Sequence, residues 1–461
     1  MIDTATRRAA LLVATLSSFL TPYMVSAVTI ALPAIGSSFA VDAVFLSWVA
    51  MSYSLTAAIF LLPCGRWADI YGRKRVFVAG TALYTLASLF CGLATGVGAL
   101  IAFRVLQGLG AAMIFGTGTA ILTSAYPAGE RGRVLGLNTA TTYVGLSVGP
   151  FLGGLLTEHL GWRSVFLVTV PLGLAVVVLA LWQLRAEWTG ARGERFDLVG
   201  ALVFGLALAA LIFGFSHLPA MLGVWLVLAS LAGGVAFVAW EVRVAHPLLN
   251  IRLFLDSRVF AFSNLAALIS YSATSATGFL LSLYLQYVRG LGPQAAGIIL
   301  LAQPVVQALF SPSSGRLSDR VEPRVIATAG MGVTVLGLVL LVPIAQATAL
   351  WFVVGCLLVL GFGFALFSSP NTNAVMGAVE PRFYGVASAT LGTMRLTGQT
   401  LSMGIATLIL ALLVGQSRIA PENHVAFISS VRVTFAVFAV LCFGGMFASL
   451  ARGDAHSQTE L

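Results

Sequence analysis

The chain has 461 residues, of which 59% are hydrophobic and only 9% charged, with a formal net charge of +9. Soluble domains carry about a quarter charged residues, so this composition excludes an ordinary soluble protein. The basic excess is not a nucleic-acid footprint either, because the arginines and lysines are scattered between apolar runs, where they encode membrane orientation.

A helix that crosses a bilayer needs about 20 mostly apolar residues. Fourteen such spans are predicted, at 9–35, 45–64, 76–95, 99–123, 134–157, 164–184, 198–216, 222–242, 259–287, 295–314, 325–346, 349–372, 385–414 and 427–450. The first follows Arg7 and Arg8 as a secretory signal would, but no small-residue cleavage site precedes Pro22, so it is expected to stay as the first span. An even number of spans puts both ends on one side. With that side cytoplasmic, only Arg163, Arg289, Arg418 and Arg432 face the other way. Arg104 and Arg395 fall within spans, and every other basic residue is cytoplasmic. The positive-inside rule therefore predicts cytoplasmic termini in the cell (inner) membrane.

After the second span comes GRWADIYGRKR, with Gly65, Asp69, Gly72 and Arg73. After the tenth comes GRLSDRVEPR, with Asp319 in the place of Asp69. The repeat divides the chain into two six-helix blocks, a parallel-halves plan that binds substrate between the blocks. The expected organisation is an N-terminal bundle over 1–190, two extra helices with their linkers over 191–250, and a C-terminal bundle over 251–461. The extra helices are expected to scaffold or to pack against lipid. Asp69 and Arg73 lie one turn apart, so they can pair with each other and with helix ends of the other half, locking the inner gate; the alternative is a solvated loop that only sets topology.

Arg104 stands in LIAFRVLQGLGAA, with Gln107 on the same face. An ionisable residue inside a membrane faces the protein interior or a wet cavity and is functional by default; the alternative is a structural arginine satisfied by backbone carbonyls. In the fifth span, GLSVGPFLGG repeats glycine at 145, 149 and 153. That stripe lets another helix approach closely, and Pro150 is expected to kink the helix. Gly145, Gly149, Pro150, Gly153 and Gly154 thus mark either the seam between the halves or a plain packing face. Arg395 is expected near the midplane of the thirteenth span, with Gln399 one turn on. None of the 16 acidic residues falls at the centre of a span.

Three of these stretches carry a resemblance. Gly65–Arg75 is similar to the loop signature GxxxDRxGRRR of the major facilitator superfamily, with Ile70 replacing a basic residue. Leu100–Ala112 matches the family's fourth-helix signature LxxxRxxQGxGAA, and Gly145–Gly154 matches its antiporter signature GxxxGPxxGG. With fourteen spans, FDLVGAL and HPLLNIRLF, the chain resembles the drug:proton antiporter branch with two extra central helices.

The resemblance implies an all-α integral membrane fold of two six-helix bundles plus two extra helices. It also implies export of small amphipathic compounds, of the multidrug type, by alternating access and proton antiport. A monomer would suffice, without cofactor or metal and without enzyme chemistry, and Arg104 would serve proton coupling or substrate orientation. Spans 1, 4, 9 and 12 would line the path. The cavity candidates are then Tyr23, Ser26, Thr29, Asn264, Tyr271, Phe367 and Asn371, with Gln303 and Gln307 on one face of span 10; each serves equally as an ordinary packing or hydrogen-bonding residue.

One departure stands out. The branch usually carries Asp in a first-span stretch like LDxTIVNVALP, whereas this chain reads MVSAVTIALP, with Met24 about where the Asp would be. A cavity with Arg104 and Arg395 and no carboxylate is electropositive. Either Asp42, Asp69 or Glu158 near the membrane edges takes the coupling role, or the protein is an uncoupled exporter or facilitator of an organic anion that uses both arginines as counter-charges. A non-transporting receptor on the same scaffold would be expected to carry a soluble output domain. No GxxxxGK[ST] loop marks an ATPase, and the histidines and cysteines show no catalytic or metal spacing.

Overall fold

The computed structural model describes residues 4–184, 186–318, 320–380, 384–415 and 419–453. The first half contains α1 (Thr4–Phe39), α2 (Ala43–Tyr71), α3 (Arg73–Gly92), α4 (Val97–Ala125), α5 (Ala128–Leu160), α6 (Arg163–Leu167) and α7 (Thr169–Gln183). A hairpin follows, α8 (Leu198–His217) and α9 (Met221–Glu241). The second half contains α10 (Ile251–Asp256), α11 (Arg258–Thr274), α12 (Thr277–Leu283), α13 (Pro293–Leu300), α14 (Ala302–Ser318), α15 (Pro323–Leu341), α16 (Leu350–Gly377), α17 (Tyr384–Leu413) and α18 (His424–Ala451). Among the described residues no strand occurs.

Among the described residues thirteen stretches are long and apolar enough to cross a membrane, several built from consecutive helices such as Arg163–Gln183, Arg258–Val288 and Pro293–Ser318. The remaining long helix is α5, whose glycines, threonines and asparagine dilute its apolar character. Together they account for the fourteen expected spans in an all-helical membrane fold. The stretch read as a loop after span 2 is helical instead: α2 runs to Tyr71 and α3 starts at Arg73, broken only at Gly72. Gly72 has φ +120°, a backbone conformation that side-chain-bearing residues rarely adopt.

The two halves use the same pairings. In the first, α1 packs on α5, and both α2 and α3 pack on α4. In the second, α11 packs on α17, and both α14 and α15 pack on α16. The helices approach through small residues, as interfaces without a hydrophobic driving force require. A Cβ on Gly110 would stand 2.7 Å from the Tyr84 backbone nitrogen in α3, and one on Gly330 would stand 2.6 Å from that of Phe367 in α16.

The hairpin is more than lipid packing. Phe213 of α8 meets Trp48 of α2 with ring centroids 4.8 Å apart. A Cβ on Gly404 of α17 would stand 3.0 Å from the Phe215 ring. One face of α8 therefore spans the α2/α17 seam between the halves, whereas α9 is mostly uncovered.

Candidate functional site

The end of the bundle where α1 begins is called the near end, the opposite one the far end. At the far end the halves are bonded together. Pro33 lies inside α1 and has no N–H, so the Thr29 carbonyl four residues back lacks its helical donor. The Ser282 hydroxyl of α12 donates to that carbonyl at 2.9 Å. One turn on, Gln286 Nε2 donates to Ile30 O at 3.0 Å and Tyr287 OH to Pro33 O at 3.3 Å. On the other side of the seam, Gln294 N at the start of α13 donates to Glu158 Oε2 at 2.9 Å.

At mid-depth a polar cluster lies between the halves. Tyr143 OH of α5 is 3.3 Å from Ser368 Oγ of α16. Beside it Arg395 of α17 donates through Nη2 to Thr372 Oγ1 at 2.6 Å. Its guanidinium stands 5.7 Å from the Tyr271 ring, which packs edge-on against Phe364 at 5.1 Å. Arg395 is half-buried, and its Nε is buried without a hydrogen-bond partner among the described residues. At 1.5 Å per residue, Arg395 is about 17 Å along α17 from Tyr384.

Arg104 is not part of this cluster, contrary to its expected role as a second chamber charge. It is 1% exposed. Its Nε donates to Val49 O at 3.0 Å, its Nη1 to Gln107 Oε1 at 2.6 Å, and its guanidinium lies over the Tyr53 ring at 4.4 Å. Gln107 in turn donates to Ser88 Oγ at 2.7 Å. The chain stitches α2, α3 and α4 of one half together, so backbone and side-chain dipoles, not a ligand, satisfy this charge.

Asp69 and Arg73 do pair, with Arg73 Nε donating to Asp69 Oδ1 at 2.8 Å. Among the described residues the pair bonds only within its own half and to the linker after it. Arg73 Nη1 donates to Ala120 O and to Ser124 Oγ of α4, and the Asp69 carbonyl accepts from Gly190 N and Ala191 N of the linker after α7. The same linker supplies Glu187, which accepts from Lys74 N at 2.9 Å, and Glu194, which pairs with Arg66 and His246. A Cβ on Gly65 would come no closer than 4.0 Å to the Gly116 carbonyl of α4. Asp319, the expected counterpart in the second half, lies outside the described residues.

The glycine stripe divides its work. Gly145, Gly149 and Gly153 face α1 of their own half: a Cβ on Gly145 would be 2.5 Å from Phe19 O, one on Gly149 would collide with Ser26, and one on Gly153 would be 2.7 Å from Ala27 Cα. Only the end of the motif lies on the seam. A Cβ on Gly154 would be 2.5 Å from Pro293 O of the other half, and one on Gly297 would run into the Pro150 carbonyl. The helix continues through Pro150.

Most of the expected cavity residues are packed away. Met24, Asn264, Phe367 and Asn371 are at most 1% exposed, and Tyr23 and Gln307 are buried as well. Asn264 donates to Phe260 O within α11, and Asn371 donates across to Ser263 O, so both spend their amides inside the second half. The Oδ1 of each is buried without a hydrogen-bond partner among the described residues. Ser26 and Thr29 bond back into α1. Tyr271, Gln303 and Gln399 stay half-buried, and only Tyr271 belongs to the mid-depth cluster. Tyr143, Ser368 and Thr372 were not found from the sequence, because single hydroxyls in apolar helices are ordinary packing residues and no motif marks them.

Comparison with known proteins places this arrangement. The profile of the Major Facilitator Superfamily matches residues 14–197 and 264–460. The multidrug resistance protein Stp of Mycobacterium tuberculosis is 35% identical over 394 residues, covering 83% of this chain and 72% of that one. The cephamycin export protein CmcT of Amycolatopsis lactamdurans is 35% identical over 414 residues, covering 87% and 85%. Among solved structures, a bacterial homologue of the human lysosomal transporter Spinster in an inward-facing, unoccupied conformation has a TM-score of 0.69 over 98% of both chains. At 17% identity that likeness is one of fold.

Proposed function

The chain belongs to the major facilitator superfamily, a multi-pass membrane transporter, and from that premise we propose that it exports small amphipathic compounds by alternating access in exchange for protons. The observation that carries this reading is the far-end seal. Its hydrogen bonds join one half to the other, so opening it requires the two halves to move apart. The relatives named for multidrug resistance and cephamycin export support the outward direction. The basic-residue asymmetry supports a cytoplasmic near end in the cell membrane. Both halves lie in one chain, so a monomer is the transport unit.

Coupling without a carboxylate at mid-span falls to Glu158. Asp42 caps its own helix by accepting from Phe45 N, and Asp69 is held by Arg73. Glu158 instead accepts from the first turn of a helix in the other half. That bond breaks when the halves part, so its acceptor changes partner with each opening of the far end. A solvent-exposed bond of this kind is worth roughly 1 kcal/mol, about a five-fold bias. The test is drug-dependent proton movement in proteoliposomes with an imposed pH gradient, for the wild type and Glu158→Gln. Export that is unaffected by the gradient overturns the coupling, and the absence of any solute flux overturns the transporter reading.

A further inference from the structure

Two arginines lie deep in the spans, and the structure treats them differently. Arg104 has an acceptor for Nε and another for Nη1, and an aromatic ring beneath it. Arg395 has one hydroxyl, Thr372 Oγ1, and a buried Nε with no partner among the described residues. It forms no ion pair there either. No acidic residue of the sequence stands at mid-span to supply one. A guanidinium is always charged, and a buried charge without a counter-ion is unfavourable unless something else completes its shell.

The neighbours of Arg395 supply aromatic and hydroxyl groups at the seam between the halves. Tyr271 and Phe364 present ring edges and faces beside the charge. Ser368 stands one helical turn before Thr372, and its hydroxyl meets that of Tyr143 from the other half. An occupant of this site touches elements that separate when the far end opens, so it is sensed by both. We propose that Arg395 is the anchor for an anionic group of the transported compound, a carboxylate attached to an aromatic body, with Tyr271 and Phe364 taking the ring. The bidentate fork of an arginine matches a carboxylate. The same fixed charge disfavours the lipophilic cations that an acidic mid-span residue would attract. This inference rests on the transporter reading above and assigns the substrate class to its site.

The experiment uses the full-length protein in proteoliposomes and matched xanthene dyes. These are fluorescein as the anion, its methyl ester as the form lacking the carboxylate, and rhodamine 123 as the cation, with binding read by ligand-induced thermal shift and flux by dye movement. Fluorescein is expected to bind at least ten-fold more tightly than rhodamine 123. Arg395→Gln should lose at least ten-fold in fluorescein affinity with little change for the ester, and Arg395→Lys should keep part of it. Should Arg395→Gln fail to fold, Thr372→Val gives the same reading, because it removes only the hydroxyl that holds the fork. Preferential movement of rhodamine 123, unchanged in the Arg395 variants, overturns the anion inference and leaves the transporter standing. If no dye moves and spin labels at the two ends show no opening under any ligand, the transporter reading itself falls.

Discussion

The hydroxyl of Ser282 donates to the carbonyl of Thr29 across the two halves, at 2.9 Å, because Pro33 leaves that carbonyl without a helical donor. A proline inside α1 thus creates an acceptor that the other half uses. Ser282→Ala removes the donor, and Pro33→Ala supplies a competing N–H. Each is expected to weaken the far-end seal by roughly 1 kcal/mol, about five-fold in the open population. The measurement is the distance between spin labels on Ser37→Cys and Ala347→Cys, both exposed at the far end and one in each half. The four native cysteines are all buried, so the background is low.

Gly154 and Gly297 touch the opposite half, whereas Gly145 touches α1. Gly154→Leu should hold the far end apart and cut flux by more than ten-fold without a matching loss of melting temperature. Gly145→Leu should lower the melting temperature first, because the clash lies inside one half. Equal behaviour of the two variants would show that the seam is not where the end of the motif lies.

Arg104 and Arg395 should separate in the same assay. Arg104→Ala leaves the buried Gln107 Oε1 without its donor, at roughly 1–3 kcal/mol, and removes the guanidinium packed over Tyr53. Arg395→Ala loses one hydroxyl bond and the contact with the Tyr271 ring, and removes an uncompensated charge. Thermal unfolding of the purified protein should therefore fall clearly for Arg104→Ala and little for Arg395→Ala. The reverse order would restore Arg104 to the substrate path.

Asp69 holds the linker through its carbonyl and Arg73 through its carboxylate, and Glu187 packs against Gly72. Gly72→Ala puts a methyl in a strained conformation, at about 1 kcal/mol or more, and drives it against that carboxylate. The linker between α7 and α8 is expected to be cleaved faster by limited proteolysis in Gly72→Ala and in Glu187→Ala, which loses the bond from Lys74 N. Unchanged cleavage would mean that the motif does not anchor the linker.

Much of the molecule is legible from composition and spacing. Apolar runs of bilayer length fix where helices lie, since lipid offers the backbone no other partner. The repeated Gly-Arg-Asp pattern reports the two halves, and the glycine spacing reports close helix contacts. The site is less legible. Arg104 and Arg395 look alike in the sequence, one ionisable residue in each apolar run. Their difference depends on which neighbours arrive from other helices: a backbone carbonyl and a glutamine for one, a single threonine hydroxyl for the other.

What the sequence determined by itself is therefore everything set by local periodicity and by the cost of polar groups in lipid: the spans, their number, the duplication and the absence of a mid-span acid. What only the tertiary structure decided is the pairing of faces. The bond of Asn371 to Ser263, the reach of Arg73 to Ala120 and Ser124, and the meeting of Tyr143 with Ser368 all join residues far apart along the chain. Hydrogen bonds are short-ranged and directional, so which buried donor finds an acceptor is known only once the helices are placed to within an ångström or so.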